Sequence, residues 1–243
     1  MKRQILACLG LFAAAAILAA AAFQPATQAP KTEPGSLPAI SIQEIETDSP
    51  EDYALWIAKS NKAIYEKYHI ENYTRVMLAQ SAGEDSGKVF AVQTAESFAK
   101  HAENGATFEN DPALVKLRGQ LSQVRKLGSS MTLKAVRFEG RNANGFTYNT
   151  RAVLTDEGAY LKSLDGLRGL LDSRGFKDAK INCYRVVSGR SDYSHLISIN
   201  CPSAERRAAM LDSLCEPWGQ DWIASVGKIR TVVGNGTFKE ITQ

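Results

Sequence analysis

The chain has 243 residues, of which 44% are apolar and 23% are charged. This composition excludes an intrinsically disordered chain, and the length allows one large domain or two small ones of about 100 residues each. The formal net charge is only +3, and two of the positive charges, Lys2 and Arg3, lie in a segment that we expect to be removed. A nucleic-acid partner is not predicted, because such proteins neutralise phosphates with many Lys and Arg side chains.

Residues 1–22 have the features of a secretory signal peptide. Two basic residues precede an apolar run rich in Ala and Leu, which ends in the small residues Ala20, Ala21 and Ala22. The alternative is an uncleaved membrane anchor, because the run approaches the ~20 residues that a spanning helix needs. Residues 23–38 are rich in proline and predict a flexible linker. We therefore expect an exported protein, periplasmic or secreted, with no membrane contact after signal cleavage.

The rest of the chain alternates between patterns typical of strands and of helices. In the first half we predict a strand, a helix, a β-hairpin, a second helix and a strand, at 39–45, 49–68, 72–95, 97–127 and 131–138. The second helix is expected to be interrupted at Asn104 and Gly105 and to restart at Pro112. The second half has the same order, at 146–154, 156–175, 180–201, 203–226 and 229–233, followed by a tail. Its second helix is also broken by a proline, Pro217.

The two halves carry the same residue type at equivalent places. The matching pairs are Arg75 and Arg185, Ser97 and Ser203, Pro112 and Pro217, and Val136 and Val232. We therefore divide the chain into a first repeat at 39–140 and a second at 145–243. Each βαββαβ repeat predicts a four-stranded antiparallel sheet with both helices on one face, the ferredoxin-like arrangement. The bare sheet faces are apolar, and burying one such side chain contributes about 1.5–3 kcal/mol, so the two sheets should shield one another.

This element order, with its duplicated hairpin and broken helix, resembles the dimeric α+β barrel superfamily and, within it, the antibiotic-biosynthesis-monooxygenase-like group. The resemblance covers the chain from Ala39 onward. It implies an α+β fold in which the tandem repeats form a pseudo-dimeric barrel with a small-molecule cleft between sheet and helices. Some members of the superfamily are cofactor-independent oxygenases, some bind or degrade haem, and many have no known activity. No catalytic residue of the family can be transferred to this sequence, and no cofactor is predicted.

Arg75 and Arg185 are the first candidates for ligand binding, because they recur at the start of equivalent strands. If both point into the cleft, they could clamp a carboxylate or another anion. The alternative is that they are solvated or paired with an acid such as Glu96. Tyr184, Asn200 and His195 are further candidate polar groups near the cleft, although a histidine beside a turn is more often a surface residue.

Cys183 and Cys201 are equidistant from Asp192, so they lie opposite each other if the hairpin turns there. Opposed residues of an antiparallel pair are close enough to be bridged, and export makes a disulfide possible. Two buried thiols are the open alternative, since a register slip would separate them. No metal site is predicted, because His69, His101 and His195 are scattered and no Cys-x-x-Cys occurs.

The leading interpretation is an exported protein that binds a small, partly apolar or anionic ligand in the barrel. A cofactor-independent monooxygenase-like barrel enzyme is the alternative. A third possibility is a structural or interaction protein whose cleft is filled by its own side chains. A cavity of ~300 Å³ or more with convergent polar groups would favour the first two.

Overall fold

The computed structural model describes residues 37–242 except 72, 122, 143–144 and 190–191. The predicted signal peptide and nearly all of the predicted linker lie outside the described residues. The strands are β1 (Ala39–Glu46), β2 (Thr74–Ser81), β3 (Val89–Ala95), β4 (Lys126–Phe138), β5 (Phe146–Leu154), β6 (Lys180–Ser188), β7 (His195–Cys201) and β8 (Arg230–Glu240). The α-helices are α1 (Pro50–Tyr68), α2 (Phe98–Glu109), α3 (Pro112–Leu121), α4 (Glu157–Ser173), α5 (Ala204–Leu214) and α6 (Pro217–Val226).

The strands form one closed antiparallel barrel in the order β1-β3-β2-β8-β5-β7-β6-β4. Each half contributes four neighbouring strands in the ferredoxin-like order, with its first and third strands at the centre. The halves are joined edge to edge at two seams, β2 with β8 and β4 with β6. The predicted fold class, tandem ferredoxin-like repeats closed into a pseudo-dimeric barrel, is confirmed.

Four helices begin where the sequence predicts, because a short polar side chain caps each of them. Ser49, Ser97, Asp156 and Ser203 each accept a hydrogen bond from the backbone N–H three residues further on. The second helix of each half is broken, and each second segment starts with a proline, Pro112 or Pro217. The two halves therefore repeat both the order of their helices and the capping residues and prolines that start them.

The first broken helix differs in detail from the prediction. Helix α2 continues through Asn104 and Gly105, and the break falls at Asp111, whose carboxylate accepts from the backbone N–H groups of Ala113 and Leu114. The segment after α3 also turns into a strand earlier than predicted, since β4 begins at Lys126. It does so because β1 pairs with it there, for example Glu46 with Lys126.

Strand β8 is much longer than predicted. The segment that follows Val233 was expected to be a tail, yet the strand continues to Glu240. Gly234, Asn235 and Gly236 have low strand propensity, but β5 pairs with this whole stretch and β2 pairs with its end. Arg207 of α5 holds the same seam from outside, donating to the Phe238 carbonyl of β8 and to Gln80 of β2.

Strand alternation divides the side chains between two environments. Outward-facing residues such as Val76 and Ile197 pack under the helices, whereas inward-facing residues such as Met77 and Leu196 form a separate apolar cluster inside the barrel. None of the helices in the described part of the chain has an apolar stretch of membrane-spanning length. Both repeats contribute to the interior of the barrel, and the candidate site lies there.

Candidate functional site

The barrel interior contains a cavity of about 870 Å³, which we call the barrel cavity. It opens at the end of the barrel where β1, β2, β5 and β6 begin, beside the exposed residues His69, Glu71 and Arg141. Its volume lies within the ~300–1,000 Å³ typical of small-molecule sites. Both repeats contribute to the wall. The inward-facing polar residues are Arg75, Thr94, Thr147, Asn149, Asn182, Tyr184, Ser198 and Asn200, and the apolar ones include Ile40, Ile42, Met77, Val92, Leu133 and Leu196.

Arg75 is the most deeply placed charged group in this wall. Its side chain is 15% exposed, and the nearest carboxylate, that of Glu240 on β8, is 3.7 Å away, beyond hydrogen-bonding distance. Burial lowers the pKa of Arg75, the positive charge of Arg141 lowers it further, and Glu240 opposes the shift. An arginine stays charged under all ordinary conditions, so the cavity wall contains a cation that is ion-paired with Glu240 at 3.7 Å.

Four buried polar atoms of the cavity wall have no hydrogen-bond partner among the described residues. They are Arg75 Nε, Thr94 Oγ1, Thr147 Oγ1 and Asn149 Oδ1. Buried polar atoms are normally hydrogen-bonded, and an unsatisfied one costs about 1–3 kcal/mol. Their concentration around one cavity identifies a surface that a polar guest molecule can satisfy. Thr147 is only 7% exposed and lines the cavity.

Two amide side chains position the connection between the repeats at the mouth of the cavity. Asn182 accepts from Glu139 N and donates to Gly140 O, while Asn200 Oδ1 accepts from Asn142 N. These bonds hold the segment that carries Arg141 against the rim. Arg141 was not identified from the sequence, and its only signal there is its place in the polar connection between the repeats.

Tyr184 lines the cavity as expected. It is 7% exposed, and burial raises the pKa of its phenol far above the ordinary value, although the charge of Arg75 opposes this. The phenol therefore remains protonated across the physiological range. It can donate a hydrogen bond to a ligand but cannot act as a base.

Arg75 and Arg185 do not point into the same cleft, and for Arg185 the alternative of pairing with an acid applies. Arg185 is 54% exposed and forms an ion pair with Glu157 on the outer, helix-covered side of the sheet. The reason is the strand period of two, because Tyr184 points inward and its neighbour Arg185 must point outward. His195 lies on the same outer side, between Ser194 (Oγ to Nδ1, 2.8 Å) and Glu157 (Oε2 to Nε2, 2.7 Å), and it does not line the barrel cavity.

The proposed disulfide is contradicted by the structure. Cys183 and Cys201 are free, buried thiols. The strand register differs from the one assumed, because Cys183 pairs with Ile197 and not with Cys201. Burial raises the pKa of Cys183 to about 12 and that of Cys201 to about 11, so both thiols stay protonated and are weak nucleophiles.

A narrower pocket of about 80 Å³, which we call the apolar end, adjoins the barrel cavity. Ile42, Met77, Val92, Asn149 and Leu196 line both spaces and form the ring at their junction. Beyond the ring, the wall is formed mainly by Phe90, Met131, Tyr193 and Phe238. An ion pair between Arg151 and Asp85 at 2.7 Å lies at the far side. The interior thus changes from a polar mouth to an apolar far end.

Within the described residues, His, Cys, Asp and Glu side chains do not cluster in a way that could hold a metal ion.

No protein-family model matches the chain, and no curated protein matches it in sequence. Solved structures do match. One is named "putative monooxygenase" from Fusobacterium nucleatum subsp. nucleatum, with a TM-score of 0.53 and 9% identity over 85% of this chain and 93% of that chain. A second, named "putative monooxygenase" from Lactobacillus acidophilus, has a TM-score of 0.53 and 11% identity over 85% of this chain and 95% of that chain.

These similarities agree with the strand order and the closed barrel described above. The chain has the fold of the dimeric α+β barrel superfamily, with both barrel halves supplied by one polypeptide. At such low identity the likeness concerns the fold, and function has to be argued from the cavity itself.

Proposed function

We propose that this protein binds a small, partly apolar molecule inside its barrel. The observation that carries the proposal is the barrel cavity of about 870 Å³, whose lining combines polar side chains, four of them with unsatisfied buried atoms, with apolar side chains. A structural protein with a filled cleft would instead pack this space with its own side chains, as cores normally are. The polar mouth would orient the ligand and the apolar wall would supply most of the affinity.

A cofactor-independent oxygenase is the second candidate, and the names of the two structural neighbours favour it. Such chemistry requires a base that ionises the substrate, with a pKa near the working pH. The ionisable groups deepest in the cavity are Arg75 and Tyr184, and burial disfavours the charged form of each. Binding without turnover therefore accounts better for the site. Oxygen consumption by the protein with a bound aromatic phenol would support the enzyme instead.

Export is the remaining part of the proposal. It rests on the charged start, apolar run and small residues of the first 22 residues. Mass spectrometry of the protein from an extracytoplasmic fraction of its own cells should give a chain that starts near Phe23. A chain that retains Met1 and sediments with membranes would support the uncleaved anchor instead.

Binding can be tested with the neutral dye N-phenyl-1-naphthylamine, whose fluorescence rises in an apolar environment. We expect saturable enhancement with the unmodified protein. Leu196→Trp should abolish the enhancement, because Leu196 lies in the ring between the barrel cavity and the apolar end. Leu55→Trp is the matched control, since Leu55 is 61% exposed on α1. No enhancement with the unmodified protein, or equal binding by both variants, would refute binding in the barrel.

A further inference from the structure

We infer that the ligand is an amphipathic monocarboxylic acid, bound with its carboxylate at Arg75 and its apolar chain directed toward the apolar end. This inference rests on the proposed function and adds the chemical class and the orientation of the ligand.

We assign the carboxylate to Arg75 because this side chain has a hydrogen-bond donor without a partner. Its Nε atom is buried and has no hydrogen-bond partner among the described residues, and its ion pair with Glu240 is 3.7 Å long. A guanidinium presents its donors as a planar fork that fits the two oxygens of a carboxylate. A bound carboxylate would satisfy Nε and provide a close counter-charge at the same time. The unsatisfied Thr147 hydroxyl and the protonated Tyr184 phenol line the same cavity and can donate to further ligand oxygens.

The charge of the ligand follows from the charges around Arg75. Arg75 and Arg141 repel each other, while Glu240 compensates one of the two positive charges. The rim also carries the carboxylates of Glu71 and Glu96, so the mouth has no excess of positive charge that a doubly charged phosphate would need, and a singly charged carboxylate fits better. The other charged residues lie at the rim, where Lys100 is already paired with Glu103 at 2.9 Å.

The orientation follows from the change in polarity along the barrel. Beyond the ring at Ile42, Met77 and Val92, the apolar end is lined by Phe90 and Phe238, whose rings lie edge to face with centroids 6.0 Å apart. An acid anchored at Arg75 can reach this region only with its chain. Each methylene buried there should improve the affinity roughly three- to fourfold.

The chemical class of the ligand can be tested by the displacement of N-phenyl-1-naphthylamine by ten-carbon compounds. Decanoate should displace the dye at concentrations at least tenfold lower than decanol, because it adds charge-assisted hydrogen bonds. It should also be more effective than decylamine and decyl phosphate. In the series hexanoate, octanoate and decanoate, the affinity should increase three- to fourfold with each added methylene.

Variants of Arg75 test whether this residue binds the carboxylate. Arg75→Met should remove the preference for decanoate over decanol, and Arg75→Lys should retain part of it, since the charge remains but the planar fork is lost. Arg185→Met is the matched control and should bind as the unmodified protein does, because Arg185 lies outside the barrel. The comparison of ligands on the unmodified protein does not depend on any variant folding.

Equal displacement by decanoate and decanol, or tighter binding of the amine or the phosphate, would overturn the inference while the dye still binds. A full preference for decanoate in folded Arg75→Met would overturn the assignment to Arg75. Failure of the dye itself to bind would instead refute the proposed function, so the two failures are distinguishable.

Discussion

Replacing Gly236 with alanine perturbs the seam where the two repeats meet. Gly236 lies on β8 beside Ala82, which follows the last residue of β2. A Cβ atom at position 236 would lie 2.5 Å from Ala82 Cβ, 2.7 Å from Ala82 Cα and 3.0 Å from the Ser81 carbonyl oxygen. Real Cβ atoms do not approach backbone atoms this closely, so β8 and β2 would have to move apart.

The expected loss of stability can be estimated from similar overpacking. Inserting a methyl group into a packed site costs about 1–3 kcal/mol, more than the ~0.4–1 kcal/mol that alanine gains by restricting the unfolded chain. For a protein of this size, a loss of about 1–2 kcal/mol lowers the melting temperature by roughly 2–8 °C. Circular dichroism during thermal and urea denaturation would measure both quantities.

Gly169→Ala on α4 is the matched control for this substitution. An added Cβ at Gly169 meets nothing within 4 Å, so the helix should gain about 0.5–1 kcal/mol and melt at a higher temperature. Opposite signs for the two glycine variants are the expected result. If Gly236→Ala melts at or above the temperature of the unmodified protein, the close β2–β8 seam is not as described.

Three further predictions concern other parts of the fold. Hydrogen bonds from Arg185, with help from His195 and against the effect of burial, lower the pKa of Glu157 from 4.5 to about 2. The folded protein therefore binds this proton more weakly than the unfolded chain, so the stabilisation is complete above about pH 4.5 and is lost as the pH falls toward 2. Glu157→Gln should flatten the pH dependence of the urea midpoint in that window, and an unchanged profile would contradict the assignment. Without reductant, Cys183 and Cys201 should resist iodoacetamide in the native protein and react fully in denaturant, whereas a mass that retains a disulfide would contradict free thiols. Ser203→Ala should lower the free energy of unfolding by about 1 kcal/mol, because the Ser203 hydroxyl caps α5, and a urea midpoint equal to that of the unmodified protein would show that the cap is unimportant.

The sequence predicted features that depend on local chemistry. Capping by Ser97 and Ser203 and breaks at Pro112 and Pro217 are set by the residues themselves, so the duplicated order of elements could be recognised. The strand content of the Gly234–Gly236 region could not be recognised, because its backbone is held by pairing with β5 rather than by its own propensity.

The candidate site was predicted only in part, because strand faces depend on single-residue register. Arg75, Tyr184 and Asn200 line the cavity, but matching Arg75 to Arg185 ignored that Tyr184 already occupies the inward position of that strand. The hairpin register likewise moved Cys183 opposite Ile197. Arg141 belongs to the site only because Asn182 and Asn200 hold its segment at the rim, which is a long-range arrangement.

The most direct test of a ligand-binding barrel is a crystal structure of the protein grown with decanoate. We predict density for the acid inside the barrel, with its carboxylate oxygens at hydrogen-bonding distance from the Arg75 guanidinium and its chain between Ile42 and Leu196. Decanoate bound only on the outer surface, or an interior filled by protein side chains, would contradict this account.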